Sequence, residues 1–219
     1  MLFVPVDAPG VTILDDWSSM GQATTASGTT IFEDVRVPKE RAIEIGWQLE
    51  PDEPFTIFSP LSLSAIYLGI ARAAFRDTVA YASTSTRPWA LSGLESATED
   101  PYLLHHVGEL HTWLDAADGI QERAHGALRR ALLERSPANR ALASVAMSQA
   151  KAFTTAVGLR IAETLFQVCG ASATLDRYNY GRHWRNVRTL SVNDPADHRY
   201  RMVGDYYLNG AFPPVSGSS

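Results

Sequence analysis

The stretch SPANRALASVAMSQAKAFTTAVGLRIAETLFQVCG, residues 136–170, decides the fold. It opens on Ser136-Pro137, a capping hydroxyl followed by proline at the first helical position, where a missing N–H costs nothing. Leu142, Val145, Ala146, Phe153, Val157, Ile161, Leu165 and Val168 then recur at spacings that keep them on one helical face. Gly170 ends the run, as a residue free to turn left-handed. Asp100-Pro101 starts another helix in the same manner, with core positions at Leu103, Val107, Leu110, Leu114, Ala117, Ala124, Leu128 and Ala131. An earlier helix carries Leu63, Ile66, Tyr67, Ile70 and Ala74 and runs to about Tyr81. A shorter one follows Pro195, passes Tyr200, Val203 and Tyr207, and stops at Asn209-Gly210. The two longest helices span roughly 45 Å at 1.5 Å per residue. Long helices with short connections predict a four-helix bundle over residues 60–210. Helices of such length also predict packing between subunits, hence an oligomer.

Upstream of the bundle the period changes. Residues 1–46 read as short strands: Leu2-Phe3-Val4, Val11 to Leu14, Thr29 to Phe32 and Val35 to Val37, divided by Pro9-Gly10, Glu33-Asp34 and Pro38. Such strands are too few to close a barrel or build a sandwich, so the segment reads as part of a β-domain. A Pro-rich, acidic linker follows at 47–59, residues 84–100 form a Ser/Thr-rich loop, and 211–219 read as a disordered tail.

Composition narrows the function. The chain has 219 residues, 45% hydrophobic and 20% charged, with a net charge of −5. That is an ordinary globular composition, and its acidity argues against nucleic acid as a partner. A single cysteine, Cys169, excludes an internal disulfide and fits a reducing cytoplasm. No uncharged apolar run reaches membrane-spanning length. His105, His106 and His111 share a helix but lack partners at ligand spacing, so no metal site is expected.

Against this acidic background stands Arg182-His183-Trp184-Arg185-Asn186-Val187-Arg188-Thr189, followed by Ser191-Val192-Asn193-Asp194-Pro195. Guanidinium forks so close together pair with carboxylates or hold a phosphate. The carboxylates in sequence reach are Asp176, Asp194 and Glu163. Taken alone, Trp17 plugs a β-domain, Ser27 caps a turn, Arg87 is a solvated loop residue, Ser172 belongs to a helix C-cap and His183 packs in the core.

Several stretches in order resemble the acyl-CoA dehydrogenase superfamily. Trp17-x-x-Met20-Gly21-Gln22, Thr25-x-Ser27-Gly28-Thr29 and Phe32-Glu33-Asp34-Val35-Arg36-Val37-Pro38 look like the second half of its β-domain. Gly69-Ile70-Ala71-Arg72-Ala73-Ala74, Arg87-Pro88-Trp89 and Gly170-Ala171-Ser172 look like its C-terminal helical domain. The Arg182–Pro195 stretch is similar to the flavin-dependent monooxygenase branch, which contains the dibenzothiophene and sulfur-acquisition oxygenases. By this resemblance, roughly half of a family chain is absent, and the protein is a truncated member.

The resemblance implies a site. Reduced FMN, supplied by an NAD(P)H:flavin reductase, would react with O2 to oxygenate a small organosulfur or aromatic substrate; FAD is the alternative cofactor. Trp17 would wall the flavin ring, with Thr25 or Ser27 on its polar edge. Arg87 would reach the phosphate, often across a subunit boundary, joined by Ser172 and Arg182. His183 and Asn193 would be the catalytic candidates, Asn193 standing where the branch often has His. A homotetramer is implied. Two readings stay open beside this one. The first is an acyl-CoA dehydrogenase, whose base is often the Glu of a Glu-Gly-Thr segment, where this chain has Ser191-Val192-Asn193-Asp194-Pro195 and no Glu. The second is an inactive helical oligomerisation module.

Overall fold

The computed structural model describes residues 1–216. Three long helices, α1 (Phe58–Thr84), α2 (Pro101–Leu133) and α3 (Pro137–Cys169), stand side by side, and two short ones, α4 (Gly181–Ser191) and α5 (Ala196–Asn209), take the fourth place in the bundle. The strands β1 (Val11–Ile13) and β2 (Thr30–Phe32) precede them. The fold is mainly α, a four-helix bundle preceded by a partial β-domain.

The caps do what their residue types allow. Asp100 accepts hydrogen bonds from the backbone N–H groups of Tyr102 (2.8 Å) and Leu103 (3.4 Å) at the head of α2. Ser136 accepts from Asn139 N–H at 3.2 Å at the head of α3. Gly170 closes α3 at φ 77° and Gly210 closes α5 at φ 70°, conformations that cost other residues strain.

The expected single apolar face of α3 is corrected. Packed by α1, α2, α4 and α5, α3 is buried nearly all round, while Leu142, assigned to the core, is 44% exposed. Small residues permit this: Ala143, Ala150, Ala152, Ala162 and Gly158 let neighbours approach closely. A Cβ on Gly158 would already lie 3.3 Å from the Val187 methyls and 3.5 Å from the Tyr67 carbonyl.

Helix α1 starts earlier than its apolar period suggests. The turn Phe55–Ile57 leads into it, and Ile57 is fully buried in the core beside Leu61, Leu128 and Met147, so the end of the expected linker belongs to the helical body. Within Phe55–Thr84 an 18-residue stretch reaches the mean hydropathy (1.4) of a membrane span, although Arg72, Arg76 and Asp77 interrupt the uncharged run of the helix. Its buried residues Leu68, Ala71, Ala74 and Tyr81 form core with α2 and α3.

The β-segment forms less sheet than expected. β1 and β2 pair antiparallel, Val11 opposite Phe32 and Ile13 opposite Thr30. Leu2-Phe3-Val4 makes only an isolated bridge from Leu2 to Ala42. Val35 to Val37 is no strand, because Asp34 turns left-handed at φ 50° and Pro38 closes the run. The expected disordered tail is fastened over its described part. Pro213 is buried, and the carbonyls of Pro213 and Pro214 accept hydrogen bonds from Arg140, each at 3.4 Å. Residues 217–219 of that expected tail lie outside the described residues.

Replacing Asp100 by Ala removes the α2 cap and should lower stability by about 1 kcal/mol, read as a lower urea midpoint at unchanged m value.

Candidate functional site

Helix α4 is the floor of the candidate site, and one turn is fastened across it. Gln22 sits at φ 53° and donates its N–H to Asn186 Oδ1 at 2.8 Å. Its carbonyl accepts from Trp17 Nε1 and Thr25 Oγ1, each at 2.9 Å, and from the Thr25 N–H at 3.2 Å. Thr25 has only one hydroxyl hydrogen, already given to Gln22, so Ser27 is the donor in the 2.8 Å Ser27–Thr25 contact. Trp17, Thr25 and Ser27 are thereby held in one turn over α4. Gly21 makes the approach possible: a Cβ there would lie 2.3 Å from the Arg185 carbonyl oxygen.

The basic cluster is helical, which the sequence reading did not assign. His183, Val187 and Ser191, four apart, face inward. Its ion pairing is corrected as well. Arg182 pairs with Asp77 of α1, Nη2 to Oδ2 at 2.6 Å, and also donates from Nη1 to the carbonyls of Tyr178 (3.2 Å) and Asn179 (3.1 Å). Arg185 bends back to Asn179 Oδ1 at 2.9 Å, and the Arg188 guanidinium lies 5.7 Å from the Trp184 ring centre. His183 Nε2 donates to the same Asp77 Oδ2 at 2.7 Å. Burial pulls the His183 pKa below its ordinary value and Arg182 adds to this, while the bond to Asp77 works against it. Beside them the buried Cys169 thiol is pushed up to about 12, by burial first and then by Asp77.

At the far end of α4, Asn193 is exposed and touches neither group of expected cofactor residues. Its neighbour Asp194 is committed: Lys151 and Arg199 both donate to its Oδ2. Burial works to raise the Asp194 pKa, but those donors outweigh it and hold it below the ordinary carboxylate value. Burial draws the Lys151 ammonium down, and Asp194 only partly restores it. Tyr67 ties α1 to the same end, donating to the Leu190 carbonyl at 3.1 Å.

Arg87 and Ser172 meet elsewhere. They line a cleft of about 450 Å3 with Ser85, Thr86, Gly170, Arg177 and Tyr178. Two guanidiniums, hydroxyls and a bare glycine backbone form a donor set suited to a phosphate. A second cleft of about 450 Å3 shares Arg87 and runs past His106 and Gln167. In it Thr86 Oγ1 and His106 Nδ1 are buried and, among the described residues, lack a hydrogen-bond partner. The expected site therefore falls into two groups, Trp17, Thr25 and Ser27 over α4, and Arg87 with Ser172 at the end of α3. Among the described residues no group of three His, Cys, Asp or Glu side chains could hold a metal ion. Sequence reasoning missed Asp77, which lies in no motif, and gave Asn186 no role although it stands inside the Arg182–Thr189 cluster; only the packing of α1 and of the turn against α4 shows what they do.

A long-helix bundle with a β-turn laid across its short fourth helix is the helical domain of an acyl-CoA dehydrogenase fold. The family model for the acyl-CoA dehydrogenase C-terminal domain matches residues 61–193, and the chain belongs to that family. It is 36% identical over 222 residues to a dibenzothiophene monooxygenase of Rhodococcus erythropolis, covering 96% of this chain and 53% of that one. It is 34% identical over 223 residues to a probable FMNH2-dependent monooxygenase, SfnC, of Pseudomonas putida, covering 97% and 55%. The chain thus spans about half the length of these relatives. The solved TdsC from Paenibacillus sp. A11-2, in complex with FMN and indole, superposes with a TM-score of 0.92 at 30% identity, over 100% of this chain and 58% of that one.

Two outcomes follow from this geometry. Gly21→Ala should lift the turn off α4 and expose Trp17, seen as a red shift in the Trp17 contribution to fluorescence when compared with a Trp17→Phe control. His183 resists protonation in the folded chain but not in the unfolded one, so its contribution to stability is full above its ordinary pKa near 6.5 and falls as pH drops below that value. Urea melts at pH 7.5 and pH 5 should therefore differ less in His183→Gln than in the parent protein.

Proposed function

We propose that the chain serves a reduced-flavin-dependent monooxygenase acting on a small organosulfur or aromatic compound. The observation that carries this reading is the commitment of Asp194. α,β-Dehydrogenation of an acyl-CoA needs a carboxylate free to take a proton. The one carboxylate in Ser191–Pro195 is bonded to Lys151 and Arg199, and its lowered pKa makes it a weak base. The likeness to the FMN- and indole-bound TdsC and to the FMNH2-dependent SfnC supports the oxygenase side.

In this reading the cofactor is FMN, which when bound in its reduced form supplies the reducing equivalents for attack by O2. Trp17 offers a flat wall for the ring, and Thr25 and Ser27 offer hydroxyls at its edge. Arg87, Ser172 and Arg177 hold the phosphate. The separation of the two groups is what a site shared between copies requires, with Arg87 and Ser172 serving the flavin of a neighbouring copy in a homotetramer. Arg182, held by Asp77 and two carbonyls through three of its five N–H donors, braces the site. Asn193 and His183 are catalytic candidates by resemblance alone, Asn193 being exposed at the end of α4 and His183 turned into the core. A flavin reductase delivers the reduced FMN, and the cytoplasm is the compartment.

The test supplies the protein with FMNH2 from a reductase, labelled O2, and a panel of organosulfur compounds and indoles. Labelled oxygen in the product is the expected result, with Arg87→Ala raising the FMN Kd by about tenfold, the loss of one charge-assisted contact. Acyl-CoA-dependent bleaching of bound FAD without oxygen uptake would establish a dehydrogenase instead. Failure to bind any flavin would leave only the oligomerisation module.

A further inference from the structure

We propose that Asp77 is a positioning residue of this site, fixing through one carboxylate oxygen both the direction of Arg182 and the tautomer of His183. The proposal rests on the monooxygenase reading only for what α4 faces. Asp77 stands on α1, more than a hundred residues from its two partners in sequence. Its Oδ2 receives Arg182 Nη2 at 2.6 Å and His183 Nε2 at 2.7 Å, from consecutive residues in the first turn of α4. A carboxylate has no hydrogen to give, so Nε2 carries the imidazole proton. In the neutral ring Nδ1 is then left as the lone-pair nitrogen, the one able to accept a proton or a hydrogen bond.

Arg182 completes the brace. With Nη2 on Asp77 and Nη1 on the Tyr178 and Asn179 carbonyls, it spans from α1 to the turn that leads into α4. The next residue of α1, Thr78, accepts from Cys169 Sγ at the end of α3 at 3.7 Å, so one turn of α1 anchors the end of α3 and the start of α4 together. A tie needed for stability alone does not call for ions, since well-packed apolar residues serve as well. A carboxylate at this point adds what they cannot, a fixed ring orientation and a fixed proton. His183 is almost fully enclosed, with 5% of its side chain exposed, so its proton exchanges slowly with water while Asp77 holds it.

The test is nitrogen NMR of the full chain labelled with 15N, at pH 7.5, beside steady-state kinetics. The parent protein is expected to give a protected Nε2–H signal for His183 with Nδ1 unprotonated. Asp77→Leu should lose that signal to solvent exchange and lose about tenfold in kcat, with the substrate KM changed less than twofold. Asp77→Asn keeps an oxygen in the same place and should retain both the signal and most of kcat. An Nδ1–H tautomer in the parent protein overturns the proposal, as does an Asp77→Leu protein that keeps the signal and kcat. Should Asp77→Leu fail to fold, the parent and Asp77→Asn spectra decide by the same criteria. If the parent protein folds but does not oxygenate, the monooxygenase reading falls, and the NMR comparison still decides for or against Asp77.

Discussion

Every other helix of this protein leans on α3, and the constraint that allows it is side-chain size. A helix packed on four sides cannot carry Leu at each inward position, because the neighbouring axes would be forced apart. Alanine, serine, threonine and glycine solve this, and two of the hydroxyls among them return hydrogen bonds to the preceding turn, Thr154 to Ala150 and Thr155 to Lys151. The one long charged side chain in the middle of α3, Lys151, is admitted because Asp194 meets it. The position of the α4–α5 connection thus follows from a lysine on the central helix.

The site is assembled by fastening α4 at three points. Asp77 takes its first turn, Asn186 takes the Gln22 turn at its middle, and Leu190 receives Tyr67 at its end. Each contact joins segments that are remote in sequence. None is large, but each is partly or wholly shielded from water, where a lost partner leaves a polar group without compensation. The loop carrying Trp17, Thr25 and Ser27 and the helix carrying Arg182 and His183 therefore hold a common geometry.

The sequence disclosed those features that are written locally. Asp100-Pro101, Ser136-Pro137 and Gly170 mark helix ends by residue type, and the structure places the ends of α2 and α3 there. The apolar spacing of α2 gave its buried face because that helix has one side on the core. For α3 the same rule failed, since a helix buried all round has no single face to announce. Helix α4 was hidden by its charges: its inward residues are only His183, Val187 and Ser191, too few and too polar to stand out. The family resemblance singled out Trp17, Thr25, Ser27, Arg87 and Ser172 as cofactor candidates. Their partition into two groups was not legible, because the distance between a loop and the far end of a helix is a tertiary quantity. Asp77 carries no local signature at all, and Asn186, though inside the basic cluster, gives no local sign that it receives the Gln22 turn.

One feature of the Gln22 turn bears on what can sit against it. The Trp17 indole hydrogen and the Thr25 hydroxyl hydrogen are both spent on the Gln22 carbonyl, and the Ser27 hydrogen is spent on Thr25. These three side chains therefore turn their hydrogens inward and present a π-face and oxygen lone pairs outward. The outward polarity of these three side chains has a single sense: they accept and do not donate. A flat ring resting there gains by bringing its own N–H to Ser27, while a ring edged only with carbonyl oxygens meets lone pair against lone pair. Discrimination of this kind is encoded by where three protons already are, before any guest arrives.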